Sequence, residues 1–179
     1  MSFPNVHQAD LQAHPVSPSE AIETIAVRIG TQPATVTLEY SLHGDLSRLR
    51  IPSGTGGRAD GLWHHTCFEA FIAPTHAQEY LELNFAPSQQ WAAYQFDSYR
   101  QGMRPADLEP PRIDVRSDPT LLQLAATITL PPDFALRGAR LALAAVIEED
   151  SGRLCYWAAR HAPRRPDFHH PDGFVLELP

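Results

Sequence analysis

Alternation of apolar and polar residues with a period of two constrains this chain more than any other feature. Over residues 35–42, Val36, Leu38, Tyr40 and Leu42 alternate with Thr35, Thr37, Glu39 and Ser41. Over residues 122–130, Leu122, Leu124, Ala126, Ile128 and Leu130 alternate with Gln123, Thr127 and Thr129, and Ala125 is the only breach. Successive side chains of an extended strand point to opposite faces, so each segment has one dry face and one wet face. Residues 139–147 are apolar on both faces, which suggests a central strand covered on both sides. The turn residues Glu149, Asp150, Ser151 and Gly152 then lead into residues 154–159 as a hairpin. Further strand candidates are 23–29, 47–51, 67–73, 80–85, 91–96, 112–115 and 174–178. Only residues 17–22 offer a helical turn, with Ser19 as its cap. About ten short strands with turn signals between them predict an all-β fold with little helix. Sheets with one apolar face must cover it with another layer, so the expected form is an antiparallel β-sandwich, jelly-roll or immunoglobulin-like.

The chain has 179 residues and is 43% hydrophobic, enough for one domain with its own core. That domain is expected over residues 20–179, after an N-terminal arm of residues 1–19. A formal net charge of -7 and a pI near 5.6 argue against sequence-independent nucleic-acid binding and against docking on an anionic membrane. All 14 basic residues are arginine, which removes Schiff-base and phosphate-loop lysine chemistry. The 17 prolines are roughly twice normal usage and cluster between apolar runs, as in loops that join strands. Cys67 and Cys155 lie in apolar segments and in no CxxC pattern. The first residues lack a charged region followed by an apolar one, and no apolar run approaches about 18 residues, so a cytoplasmic location is expected.

The strongest local signal is WHHTCFEAFI, from Trp63 to Ile72. On a strand, Phe68, Ala70 and Ile72 form the apolar face, which sends Glu69 to the other side. If the strand extends backwards, Trp63 and His65 share the face of Glu69. Residues 80–85 repeat the theme, with Leu81, Leu83 and Phe85 on the core face and Tyr80, Glu82 and Asn84 opposite. Pairing these strands would gather Glu69, Glu82 and Asn84 beside a tryptophan. A flat aromatic face with carboxylate and amide groups suits a sugar, whose C–H face packs on indole while its hydroxyls need polar partners. A solvated polar face is the plain alternative. Trp157 shares a strand face with Cys155 and Ala159 and taken alone reads as a core residue.

The run Trp63 to Glu69, then YLELNF from Tyr80 to Phe85 and Trp91, resembles the family 9 carbohydrate-binding modules and the wider DOMON-like β-sandwich domains. The stretch from Trp157 through FHHPDGFVLEL, residues 168–178, is similar to the closing segment of the same group. The resemblance implies a jelly-roll-like sandwich with a ligand at one end. It further implies two tryptophans that clamp a terminal sugar and a glutamate that accepts its hydroxyl hydrogens. By position these are Trp63, Trp157 and Glu69, with Asn84 matching an asparagine on the neighbouring strand. One departure is Glu82, which stands where the sugar-binding relatives carry an arginine and reverses the hydrogen-bond sense there. Calcium sites of the relatives have no matching ligands in this sequence.

Other chemistry is weaker in the residues. His64–His65 and His169–His170 are adjacent pairs in expected loops, with no helical HExxH and no carboxylate at ligand spacing. Some DOMON relatives bind haem through methionine and histidine, and here Met103 with His64, His65 or His161 could serve. Glu69 and Glu82 could form a glycosidase-like pair, but two glutamates on neighbouring strands are more often plain surface groups. The acidic turn Glu148–Asp150 reads as solvated. The loops 53–61, 100–111 and 162–173 are where a β scaffold would place binding. The expectation is a non-catalytic domain that binds a small molecule, a saccharide above all, through Trp63, Trp157, Glu69, Glu82 and Asn84, with no cofactor. The alternatives are a haem carrier and a protein-interaction domain that uses Trp63 and the 162–173 loop.

Overall fold

The computed structural model describes residues 6–179. Thirteen strands are found among them. They are β1 (Val6–Ala13), β2 (Ile22–Gln32), β3 (Thr35–Gly44), β4 (Gly57–Arg58), β5 (Cys67–Ala73), β6 (Tyr80–Phe85), β7 (Gln90–Phe96), β8 (Arg104–Pro105), β9 (Arg112–Ser117), β10 (Leu121–Thr129), β11 (Arg140–Glu148), β12 (Leu154–Ala158) and β13 (Leu176–Glu177). Helix among the described residues is limited to three single 3-10 turns, Leu46–Arg48, Leu62–His64 and Pro171–Gly173.

The strands form one curled path in the order β4-β7-β6-β5-β11-β12-β1-β2-β3-β10-β9. It folds over on itself as two leaves, β4 to β12 and β1 to β9, and β1 belongs to both. Residues Val6–Leu11 pair with β2, while Gln12 and Ala13 pair with Ala158 and Trp157 of β12. Part of the segment expected as an arm is therefore a strand that joins the leaves. The sheet is mixed rather than purely antiparallel, because Gly57 and Arg58 run parallel to Gln90 and Trp91. Arg58 anchors that addition: its guanidinium stacks over the Trp91 ring at 5.2 Å and donates to the carbonyls of Ala93 and Ala106.

Between the leaves lies the main core. The period-2 faces seen in the sequence meet there: Val36, Leu38, Tyr40 and Leu42 of β3 and Leu122, Leu124, Ala126 and Ile128 of β10 pack against Phe68, Ala70 and Ile72 of β5 and Leu81, Leu83 and Phe85 of β6. Each valine, leucine, isoleucine and phenylalanine among them stabilises the fold by about 1.5–3 kcal/mol through loss of apolar surface from water. Tyr40 crosses the layers. Its ring packs on Phe68 at 4.9 Å, and its hydroxyl donates to the backbone carbonyl of Glu69 at 2.9 Å. Gly44 has a steric reason: a Cβ there would sit 2.1 Å from the carbonyl oxygen of Ala21.

Two expected elements differ. Residues 47–51 are not a strand, because Asp45 accepts a hydrogen bond from the Ser47 amide at 3.1 Å and caps the turn Leu46–Arg48. Residues 17–22 form no helix; the Ser19 hydroxyl accepts from the Ala21 amide and donates to Glu149 at 2.7 Å. The acidic turn after β11 is also not solvated. Glu148 and Glu149 are buried, and they are paired with Arg50, His65 and Arg153 at 2.7 to 3.0 Å. No helix among the described residues is long and apolar enough to cross a membrane.

Candidate functional site

Every residue of β5 is buried, so the first leaf is covered on its outer side as well. The cover is a second cluster in which Cys67, Phe71, Tyr80, Tyr94 and Phe96 meet Trp63, Phe168 and Phe174 from loops. Within this layer lies a pocket of about 410 Å³. Glu69 and Glu82 line its depth, Trp63, Tyr156 and Phe168 are on its walls, and Arg100 stands near its mouth.

Register explains the floor. Glu69 pairs with Asn84 across β5 and β6, which puts Glu82 on the diagonal from Glu69 on the same face. Diagonal neighbours lie roughly 7–8 Å apart at the backbone, within reach of long side chains. Glu82 Oε1 accepts from the Asn84 amide nitrogen at 2.8 Å. Asn84 is wholly buried beside the floor rather than on the pocket wall, and its Oδ1 has no partner. Glu69 is 3% exposed, and its Oε1 also lacks a hydrogen-bond donor. Burial raises the pKa of Glu69 well above the usual carboxylate range, the nearby Glu82 raises it further, and Arg100 opposes both. Burial likewise raises Glu82, against the Asn84 hydrogen bond and Arg100. Burial thus favours the protonated over the ionised form of both carboxyl groups.

Trp63 reaches the pocket by a route the strand pattern did not predict. β5 begins at Cys67 and does not extend backwards. Gly61, at φ 73°, opens the 3-10 turn Leu62–His64, a left-handed conformation that glycine adopts without cost. This turn swings the indole against Tyr94, with ring centres 5.9 Å apart and planes at 72°. His65 leaves the site and bonds Glu148 at 2.7 Å.

Trp157 is not where the two-tryptophan clamp requires it. Cys155 and Trp157 face the main core, and Trp157 is 6% exposed there, opposite Ala145 on β11. Its neighbours Leu154 and Tyr156 face the pocket instead. Alternation along β12 thus puts the two indoles on opposite faces of one leaf. The aromatic group across from Trp63 comes from Tyr156 and Phe168, whose rings meet edge to face at 6.0 Å.

A latch closes the rim. Arg100 donates to Asp167 at 2.7 Å, and the Tyr99 hydroxyl donates to the other oxygen of that carboxylate at 2.5 Å. Although burial acts to raise the pKa of Asp167, these two bonds hold it below the ordinary aspartate range. His169 follows beneath. Its pKa is lowered to about 4, first by burial and then by Arg100, with Asp167 opposing. His169 is therefore neutral at physiological pH, and its 3.6 Å approach to Glu82 is not an ion pair. The Tyr80 oxygen accepts from the Arg100 amide at 3.2 Å and shares a hydrogen bond with His169 Nδ1 at 2.8 Å.

The sequence had flagged the loops around Arg100 and Asp167 but none of Arg100, Tyr156, Asp167, Phe168 and His169 as a sugar-site residue. Only alternation along β12 could have pointed to Tyr156. Of the histidines considered as haem partners for Met103, only His64 shares this pocket with it. His161 donates Nε2–H to the Gln12 carbonyl at 2.7 Å. Among the described residues, no group of three or more His, Cys, Asp or Glu side chains is placed to hold a metal ion.

No protein-family profile matches the sequence, and no curated protein matches it significantly. Solved structures do match its shape. A family 9 carbohydrate-binding module from Caldicellulosiruptor kristjanssonii, solved with cellotriose, superposes with a TM-score of 0.59 at 9% identity, covering 90% of this chain and 76% of that one. The chain has a family 9 module-like fold. A family 9 module from the same organism, in complex with glucose, gives a TM-score of 0.56 at 8% identity, with coverage of 90% and 78%. A candidate carbohydrate-binding protein from Bacteroides uniformis gives 0.68 at 15% identity, with coverage of 95% and 84%.

Proposed function

We propose that this family 9-like domain binds a saccharide in the outer-face pocket and performs no chemistry on it. The observation that carries the reading is Glu69, a buried carboxyl group with an unfilled acceptor, at the bottom of a hollow walled by Trp63, Tyr156 and Phe168. Rings on the walls suit the C–H faces of a pyranose, and the acceptor suits its hydroxyl hydrogens. Family 9 modules of the same fold were solved with cellotriose and glucose, which supports a saccharide in this one. In this reading Tyr156 takes the place expected of Trp157, and Asn84 acts through Glu82 rather than on the sugar.

Calorimetric titration of glucose and cello-oligosaccharides tests the proposal. Saturable binding that Trp63→Ala abolishes supports it; no binding, or binding indifferent to that change, overturns it. Incubation with aryl glycosides tests the non-catalytic part, and enzyme-dependent release of the aryl alcohol would overturn it. A haem reading would rest on Met103 and His64, both on the pocket wall. The two buried carboxyl groups behind them do not suit an apolar macrocycle, and a missing Soret band after reconstitution would remove that reading.

A further inference from the structure

We infer that the preferred ligand of this pocket is an aminosugar, its protonated amine seated between the carboxyl groups of Glu69 and Glu82. The inference rests on the saccharide reading above and specifies it. Hydrogen-bond arithmetic comes first. The floor offers acceptors and almost no donors: Glu69 Oε1 is unfilled although the residue is 3% exposed, Glu82 Oε1 receives one bond from Asn84, and Glu82 Oε2 has only the His169 ring nitrogen at 3.6 Å. An ammonium group brings three donors and no lone pair, whereas a hydroxyl brings one donor and two lone pairs, for which this floor supplies fewer partners.

Charge points the same way. Arg100 is the one arginine lining the pocket, and its guanidinium is bonded to Asp167 at 2.7 Å, so its charge is matched outside the floor. His169 is neutral for the reasons given. Among the described residues no arginine is bonded to Glu69 or Glu82, and Arg100 acts on them only from a distance. Phe96, Tyr156 and Trp63 line the same space, and aromatic rings attract a cation that meets their faces. In the empty pocket, burial of both groups and the repulsion of Glu69 by Glu82 favour a proton on the carboxyl pair. An entering ammonium replaces that proton, which leaves to solvent, so the net charge of the floor is kept.

The experiment is titration calorimetry at about pH 6.5 in two buffers of different ionisation heat. The probes are glucosamine, glucose and cyclohexylamine. Charge-assisted hydrogen bonds are roughly twice as strong as neutral ones, so glucosamine is expected to bind at least about tenfold more tightly than glucose. It should release a fraction of a proton up to about one, and glucose should release none. The isosteric variants Glu82→Gln and Glu69→Gln, checked for folding by circular dichroism, should bring the glucosamine-to-glucose ratio toward unity. Glucose binding as well as glucosamine, without proton release, overturns the inference and leaves the saccharide reading standing. Cyclohexylamine binding with proton release while both sugars fail supports the ammonium seat and overturns the saccharide reading. If none of the three probes binds, both are overturned.

Discussion

At the scale of single residues, two tryptophans that look alike in the sequence separate by the face of one sheet. Trp157 fills the core between the leaves, and Trp63 leans over a pocket from a loop. Truncating a buried tryptophan costs about 3–5 kcal/mol, so Trp157→Ala should lower the denaturant midpoint sharply while the folded fraction still binds ligand. Trp63→Ala should do the reverse, with a small change in midpoint and loss of binding. Paired urea melts and titrations distinguish the two. Tyr40 shows how the core supports the site from behind. Its hydroxyl fills the carbonyl of Glu69 across the layers, and Tyr40→Phe should cost about 1 kcal/mol by removing that bond. Any fall in ligand affinity in this variant would show that the bond also holds Glu69 in place.

At the scale of elements, the pocket exists because loops cover the outer face of the first leaf. The turn after β7 and the loop of residues 162–173 are tied by Arg100, Asp167 and Tyr99. Arg100 is half exposed, and solvent screens such a pair, so Arg100→Ala should change global stability by no more than about 1 kcal/mol. Its local effect should be larger. Amide exchange in residues 162–173 should speed up, and bound ligand should dissociate faster; unchanged exchange would mean that packing of Phe168 alone holds the loop. β1 is the other decisive element. It carries the sheet from one leaf to the other, so the leaves are one structure rather than two stacked sheets.

For the whole molecule, the buried carboxyl pair and His169 set opposing pH dependences. Glu69 and Glu82 have folded-state pKa values above their unfolded ones. Above the ordinary carboxylate range the native state therefore holds more protons than the unfolded chain, and stability falls as pH rises through the pair's folded values. His169 is lowered to about 4. Its contribution is absent below that value, grows as pH rises toward the ordinary histidine value of about 6.5, and is constant above it. Melts at pH values rising from the ordinary carboxylate range of about 4.3 should thus show a contribution to decline that Glu69→Gln flattens. A decline of the same slope in that variant would mean that another group carries it. An ammonium bound between the carboxyl groups should also remove it, because the pair then stays ionised without penalty.

The strands on either side of the core were legible because period-2 alternation is a local property: β5 and β6 were readable to the residue, and so was the separation of Phe68, Ala70 and Ile72 from Glu69. Glu69 and Glu82 could be assigned to a common face for the same reason. What alternation could not say was which face of β12 met the core, since Trp157 and Tyr156 are both aromatic and only the packing of β1 and β11 decides between them. Nor could it join Arg100 to Asp167, 67 residues apart, or send residues 6–13 across both leaves. Those pairings depend on how the sheet curls. The burial that gives the carboxyl pair its character comes from loops that fold over it, and no segment read alone contains that information.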